Sequence, residues 1–191
     1  MIVMKGNAEI FSLLFIVILF NTSYAGELTA LEEVKAFYRN YIGYSYRETP
    51  NIPRPKMNFS ESFSKAIEEN EKICAEYSAG ICGWRAEGDE YLDTQETDPK
   101  LTFENSGIEF TENGKNVIQV KLNVYPSEND ETGFYLKKIT YKMVHEKGMW
   151  VVDDIVYTDG TSSRMSIIQE NENNRIHPDP DSPAAKKSMK E

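Results

Sequence analysis

Past Pro99 the apolar residues of this chain stop recurring at helical spacing and begin to alternate, and that change of period limits the fold more than any other feature of the sequence. Ile118, Val120, Leu122 and Val124 fall on one side of an extended chain, with Gln119, Lys121 and Asn123 on the other. Ser106 to Thr111 alternates too, and Asn113-Gly114, just before a return strand over 116–125, is a strong hairpin signal. A loop over 126–133 leads to a long strand predicted over 134–146. Lys147-Gly148 then turns the chain into a last strand over 149–157. This order describes an antiparallel meander.

Before Pro99 the spacing is helical. Thr29 followed by Glu32 reads as a capping box, opening a helix with apolar positions Leu31, Val34, Phe37, Tyr38 and Tyr41, closed by Gly43. Pro50, Pro53 and Pro55 impose an irregular connection over 44–57. Asn58 with Glu61 repeats the capping logic, and Phe59, Phe63, Ala66, Ile67, Asn70, Ile73 and Tyr77 mark one face of a second helix. Aromatic residues at this spacing read as core. Between the helices and the strands, 81–99 is an acidic, turn-rich stretch with a helical turn around 90–94. Beyond residue 168 apolar periodicity is lost, and 169–191 reads as a disordered tail. Helices first and meandering strands afterwards define an α+β fold. Two N-terminal helices pack on a curved antiparallel sheet and enclose a cone-shaped cavity.

The first 25 residues read as a secretory signal. Lys5 precedes an apolar run of about eleven residues from Ile10 to Phe20, and Ser23 and Ala25 place small residues at a cleavage site after Ala25. That run is shorter than the roughly 20 residues that span a bilayer. No cysteine marks a lipoprotein route. The expected domains are therefore a signal peptide over 1–25, one α+β domain over 26–168 and the tail, with the mature chain in the periplasm.

Net charge is −10. That balance disfavours a nucleic-acid partner, which needs a basic patch against phosphates, and electrostatic adsorption to anionic lipid. In an oxidising compartment Cys74 and Cys82 are expected to pair. On one continuous helix their eight-residue separation would set them roughly 12 Å apart. A disulfide tolerates a Cα separation of at most about 7 Å, so pairing requires the helix to end between them, and Ala79-Gly80 supplies a stop. A structural staple is the reading; the C-x-x-C spacing of a redox pair is missing.

Three stretches resemble a known family: Val34-Lys-Ala-Phe-Tyr38, Tyr91-Leu-Asp-Thr-Gln-Glu96 and Lys147-Gly-Met-Trp-Val-Val-Asp-Asp-Ile-Val-Tyr157. The resemblance is to a secreted bacterial domain-of-unknown-function family within the nuclear transport factor 2-like, or cystatin-like, superfamily. It covers about Leu28 to Tyr157. It implies a cone with a pocket. That superfamily holds isomerases, dehydratases, ligand binders and oligomerisation modules, so the fold does not select an activity.

Candidate site residues follow from the strands. Asp153 and Asp154 are adjacent, so a regular strand would turn one inward, where burial would raise its pKa, whereas a β-bulge would turn both outward. Trp150, Tyr125 and Tyr141 are candidate walls of the pocket. His145, near the end of a strand, would act as a base only if it points inward; otherwise it is a surface histidine. The acidic run Glu87, Asp89, Glu90, Asp93, Glu96 and Asp98 lacks the spacing of a calcium loop and reads as solvated; no metal or cofactor is expected. The residues point to binding in preference to catalysis: an exported binding protein for a small molecule or a basic envelope protein, such as an inhibitor or immunity protein for an envelope enzyme. The alternatives are an isomerase- or dehydratase-like enzyme using a cone-lining carboxylate, and a structural envelope component that forms homodimers.

Overall fold

A computed structural model describes residues 28–44, 53–84, 86 and 88–189. The signal peptide expected over 1–25 lies outside the described residues. The elements are α1 (Ala30–Tyr44), α2 (Glu61–Tyr77), β1 (Glu109–Glu112), β2 (Val117–Asn123), β3 (Leu136–Glu146), β4 (Met149–Val156), α3 (Ser163–Ile176) and α4 (Pro183–Ser188). The four strands form one open antiparallel sheet in the order β1-β2-β3-β4. The fold is α+β, as the period change requires.

Alternation does what it predicts. Ile118, Val120, Leu122 and Val124 are all fully buried, and Ile139, Tyr141 and Met143 continue the same face on β3. At Lys147 and Gly148 φ is +52° and +82°, the conformation of a two-residue hairpin turn whose twist matches the strands. The Asn113-Gly114 hairpin is longer: β1 ends at Glu112, Asn113 N–H donates to the Val117 carbonyl at 2.8 Å, and Gly114 takes φ +81°. The stretch before it becomes a strand only at Glu109. Ser106 is instead drawn into a turn by its N–H bond to Thr102.

α1 lies on the buried face of the sheet. Its capping box is formed, with Glu32 N–H donating to Thr29 Oγ at 3.2 Å and Thr29 N–H donating to Glu32 Oε2 at 3.0 Å. Tyr38 and Tyr141 meet in the centre of the core. The Tyr38 hydroxyl lies 2.8 Å from that of Tyr141 and donates to the Tyr91 carbonyl at 2.6 Å. Burial pushes both phenols well above their ordinary pKa, so they are neutral hydrogen-bonding groups. Tyr38→Phe should lower the unfolding free energy by about 1–2 kcal/mol, read by urea denaturation, because a buried carbonyl loses its donor. A change within a few tenths would mean that the bond carries no stability.

Two expectations are corrected. Asn58 does not cap α2. The Asn58 carbonyl accepts the Val152 N–H at 2.8 Å as residues 58–60 run beside β4, which leaves Ser60 as the cap, accepting the Phe63 N–H at 3.0 Å. The stretch from 169 onward is not a structureless tail: α3 runs to Ile176 and packs along α2, and α4 follows. α3 buries Ile167, but it is held largely by polar side chains. Asn70 Nδ2 donates to Asn171 Oδ1 at 2.8 Å and to Glu170 Oε2 at 2.7 Å, and Arg175 reaches Glu69 at 2.7 Å. A helix fastened by asparagines leaves no apolar period to read. Among the described residues, no helix is long and apolar enough to cross a membrane.

Candidate functional site

The sheet first decides the fate of Asp153 and Asp154. Lys142 pairs with Asp154 and Met143 with Val152, so Asp153 is an extra residue on β4: the β-bulge alternative. Neither carboxylate joins the Tyr38–Tyr141 interior. Asp153 accepts from Ser60 Oγ at 2.6 Å, Ser62 Oγ at 3.1 Å and Arg164 at 2.7 Å. Partial burial raises its pKa, but the Ser60 hydroxyl and the Arg164 guanidinium outweigh that, and the net shift is downward. Asp154 is buried and accepts from Lys142 Nζ at 2.9 Å, Ser162 Oγ at 2.9 Å and Arg164 N–H at 3.2 Å. The pair fastens β4 to the starts of α2 and α3.

The other residues singled out in the sequence are dispersed. Tyr141 is committed to Tyr38 in the core. Tyr125 packs on Tyr135, ring centres 4.6 Å apart, at the far end of the sheet. His145 is exposed, with its ring 5.3 Å from Trp150. Trp150 borders a hollow of about 270 Å³ shared with Phe37, Met57, Met143 and Val152. The constellation does not assemble into one site.

A larger cleft, about 490 Å³, opens elsewhere, between the 81–95 segment and α3. Three parts of the chain build it: Gly83, Trp84, Asp89, Glu90, Asp93 and Thr94 from the segment, Tyr157 after β4, and Ser166, Ile167 and Glu170 from α3. The segment is not a solvated loop throughout. Tyr91 and Leu92 enter the core, and Asp89 Oδ1 accepts the N–H groups of both at 2.9 and 3.0 Å. Gly88 passes so close to Thr94 that a Cβ there would stand 2.9 Å from its carbonyl oxygen. These constraints set Asp89, Glu90 and Asp93 along the border of the cleft.

The far wall is held by α2. The disulfide between Cys74 and Cys82 is formed, its Cα atoms 5.5 Å apart, because α2 ends at Tyr77 and the chain folds back. Trp84 N–H donates to Asn70 Oδ1 at 2.7 Å, and Gly83 N–H donates to Glu170 at 3.2 Å. The Trp84 ring stands edge-on to Phe59 and Phe63 at 5.4 and 5.5 Å. Tyr157 is pushed above its ordinary pKa, chiefly by burial; hydrogen bonds with Ser163 and Trp84 pull the other way, and the charges of Glu90 and Asp93 add to the rise. It therefore enters the cleft as a neutral phenol.

Four acidic side chains, Asp89, Glu90, Asp93 and Glu170, thus border a half-open cleft with aromatic groups in its wall, and none of the described lining residues is basic. A guanidinium already sits on the outer side of two of them. Arg54 lies 3.0 Å from Asp89 and 3.4 Å from Glu90, over the faces of Tyr41 and Tyr91. The arrangement suits an amphipathic cation such as an arginine or lysine side chain. Among the described residues, the one group of potential metal ligands is Cys74, Cys82 and Glu170, and its two sulfurs are bonded to each other, so it offers no thiolate. Sequence reasoning noticed the acidic run but not its partners, because α3 carried no periodic signal.

The elements define an α+β domain with an open four-stranded antiparallel sheet and an acidic cleft beside it. No protein-family profile, curated protein or solved structure matches the chain.

Proposed function

We propose that this is an exported, non-enzymatic binding protein of the bacterial envelope, which takes a basic group of a partner protein into the cleft between the 81–95 segment and α3. The observation that carries this reading is the cleft itself, with four acidic side chains and the Trp84 and Tyr157 rings around one opening. A net charge of −10 favours approach of a basic partner. Asp153 and Asp154 speak against the isomerase alternative: both are held by cations and hydroxyls, and the pKa of Asp153 is lowered, the reverse of what a base working near neutrality needs. In the same reading the chain is a divergent member of the nuclear transport factor 2-like, cystatin-like superfamily, with α1 lying in the bend of the meander. The periplasmic address rests on the signal sequence over 1–25. An inhibitor or immunity protein for a basic wall-directed hydrolase is the specific form of the proposal.

Titration calorimetry against a basic lysozyme, used as the probe, tests it. Binding is expected at low salt and should weaken as salt is added. Gln95→Lys, a positive charge introduced at the exposed cleft rim, should weaken it about tenfold or more, that is by at least about 1.4 kcal/mol. Glu109→Lys on the exposed edge strand β1 should leave it unchanged. Absence of binding, or an equal effect of the two substitutions, overturns the reading.

A further inference from the structure

One wall of the cleft hangs on a covalent tie. Cys74 lies in the last turn of α2, and Cys82 directly precedes Gly83 and Trp84, which line the opening. Among the described residues, Gly83 and Trp84 are held by one N–H bond each to α3 and α2 and by the indole, which stands edge-on to Phe59 and Phe63 and shares a hydrogen bond with Tyr157; Asp89, further along, is tied to Tyr41 and Arg54. Asn174 Nδ2 reaches Cys82 Sγ at 3.2 Å from α3. The main core does not pass through this tie. α1, the strands, Phe63, Tyr91 and Leu92 form one continuous apolar cluster to which neither cysteine belongs. The chain beyond α3 is fastened to α2 separately, by the Asp179 N–H bond to the Tyr77 carbonyl at 2.9 Å.

We infer that the Cys74–Cys82 bond is a local latch on the cleft: its reduction frees the wall around Gly83 and Trp84 while the sheet and α1 stay folded, which makes the binding site thiol-responsive. A dithiol reductant supplies the chemistry. One of its thiolates attacks a protein sulfur to give a mixed disulfide, and its second thiol displaces the remaining protein sulfur. Two electrons and two protons end on Cys74 and Cys82 as thiols, and the reductant leaves as its own cyclic disulfide. A loop of about eight residues constrains the opened chain by a factor on the order of 50, and this is the protection the wall should lose.

The latch is read by residue-resolved amide exchange on the full chain, oxidised and after dithiothreitol, with a Cys74→Ser, Cys82→Ser double variant as a second route to the unlatched state. The amides of Gly83 and Trp84 should exchange on the order of 50-fold faster once the bond is gone, while those of Val120 and Tyr141 keep their protection. Unchanged exchange at Gly83 and Trp84 overturns the inference. So does loss of protection in the strands together with the wall, which would make the bond a global staple. The functional consequence rests on the cleft being the binding site, and loss of lysozyme binding on reduction is its expected sign. Failure of the oxidised protein to bind would overturn that reading alone, because the exchange experiment judges the latch without any ligand.

Discussion

Phe63→Ala should lower the unfolding free energy by about 3–5 kcal/mol, the cost of emptying a fully buried aromatic site. Phe63 has no exposed surface. Its N–H is taken by Ser60, the rings of Phe59 and Trp84 stand 5.1 and 5.5 Å from it, and the Arg164 guanidinium lies over its face at 5.5 Å. α2, the cleft wall and the start of α3 therefore meet on one ring. The vacated space is bordered by aromatic rings and by α2 itself, which cannot close on it without moving the wall. Urea denaturation followed at two wavelengths checks the energy, and near-ultraviolet circular dichroism reports whether Trp84 loses its fixed setting. Phe63→Leu, which keeps much of the volume, should cost distinctly less. A loss below about 1 kcal/mol for the alanine variant would show that the site relaxes and that the ring does not join the three elements.

How much of this was legible in the sequence depends on what holds each part. The sheet was legible because its energy is apolar burial on one face of each strand, and period-2 alternation records that directly at Ile118, Val120, Leu122 and Val124. The disulfide was legible because pairing is the expectation for two cysteines of an exported chain, and helical rise then requires the stop that α2 makes at Tyr77. The adjacent carboxylates Asp153 and Asp154 left two alternatives, one side chain turned inward on a regular strand or a bulge, and the register of β3 with β4 shows the bulge. Their partner Arg164 was hidden, because α3 was hidden. Asn70, Asn171 and Asn174 secure that helix by side-chain hydrogen bonds, which have no periodic signature in a single sequence. The cleft was illegible for the same reason: its acidic wall lies in 81–95, and its other wall is α3.

Arg164→Ala should cost about 2–3 kcal/mol at neutral pH and should remove part of the protein's acid sensitivity. Arg164 donates to the Asp153 carboxylate at 2.7 Å, to the Asp153 carbonyl and to Ser62, and its backbone N–H bonds Asp154 at 3.2 Å. Alanine keeps that last bond and deletes the rest. Among the described residues it leaves Asp153, about one-third exposed, with the two serine hydroxyls. The sign of the pH effect follows from the lowered pKa of Asp153. Between its folded and unfolded values the unfolded chain binds more protons. The pair's stabilisation is thus complete above about pH 3.9 and lost as pH falls through the lower, folded value. Asp98, Asp130 and Asp159 are also held below the ordinary carboxylate range, by bonds led respectively by those from Ser127, the Tyr135 N–H and the Thr161 N–H, so the acid limb of the parent protein is a sum over several groups. The difference between parent and variant isolates Arg164. It should be widest near neutrality and narrow as pH falls from about 3.9 through the lower, folded value of Asp153, below which the protonated carboxyl offers the guanidinium no charge. Lys142 and Asp154, the adjacent ion pair, are common to both proteins and leave that difference unchanged. Denaturation of the two proteins across pH 7 to pH 2.5 measures it, and a difference that stays constant over that range would mean that Arg164 acts through its packing on Phe63 and not through Asp153.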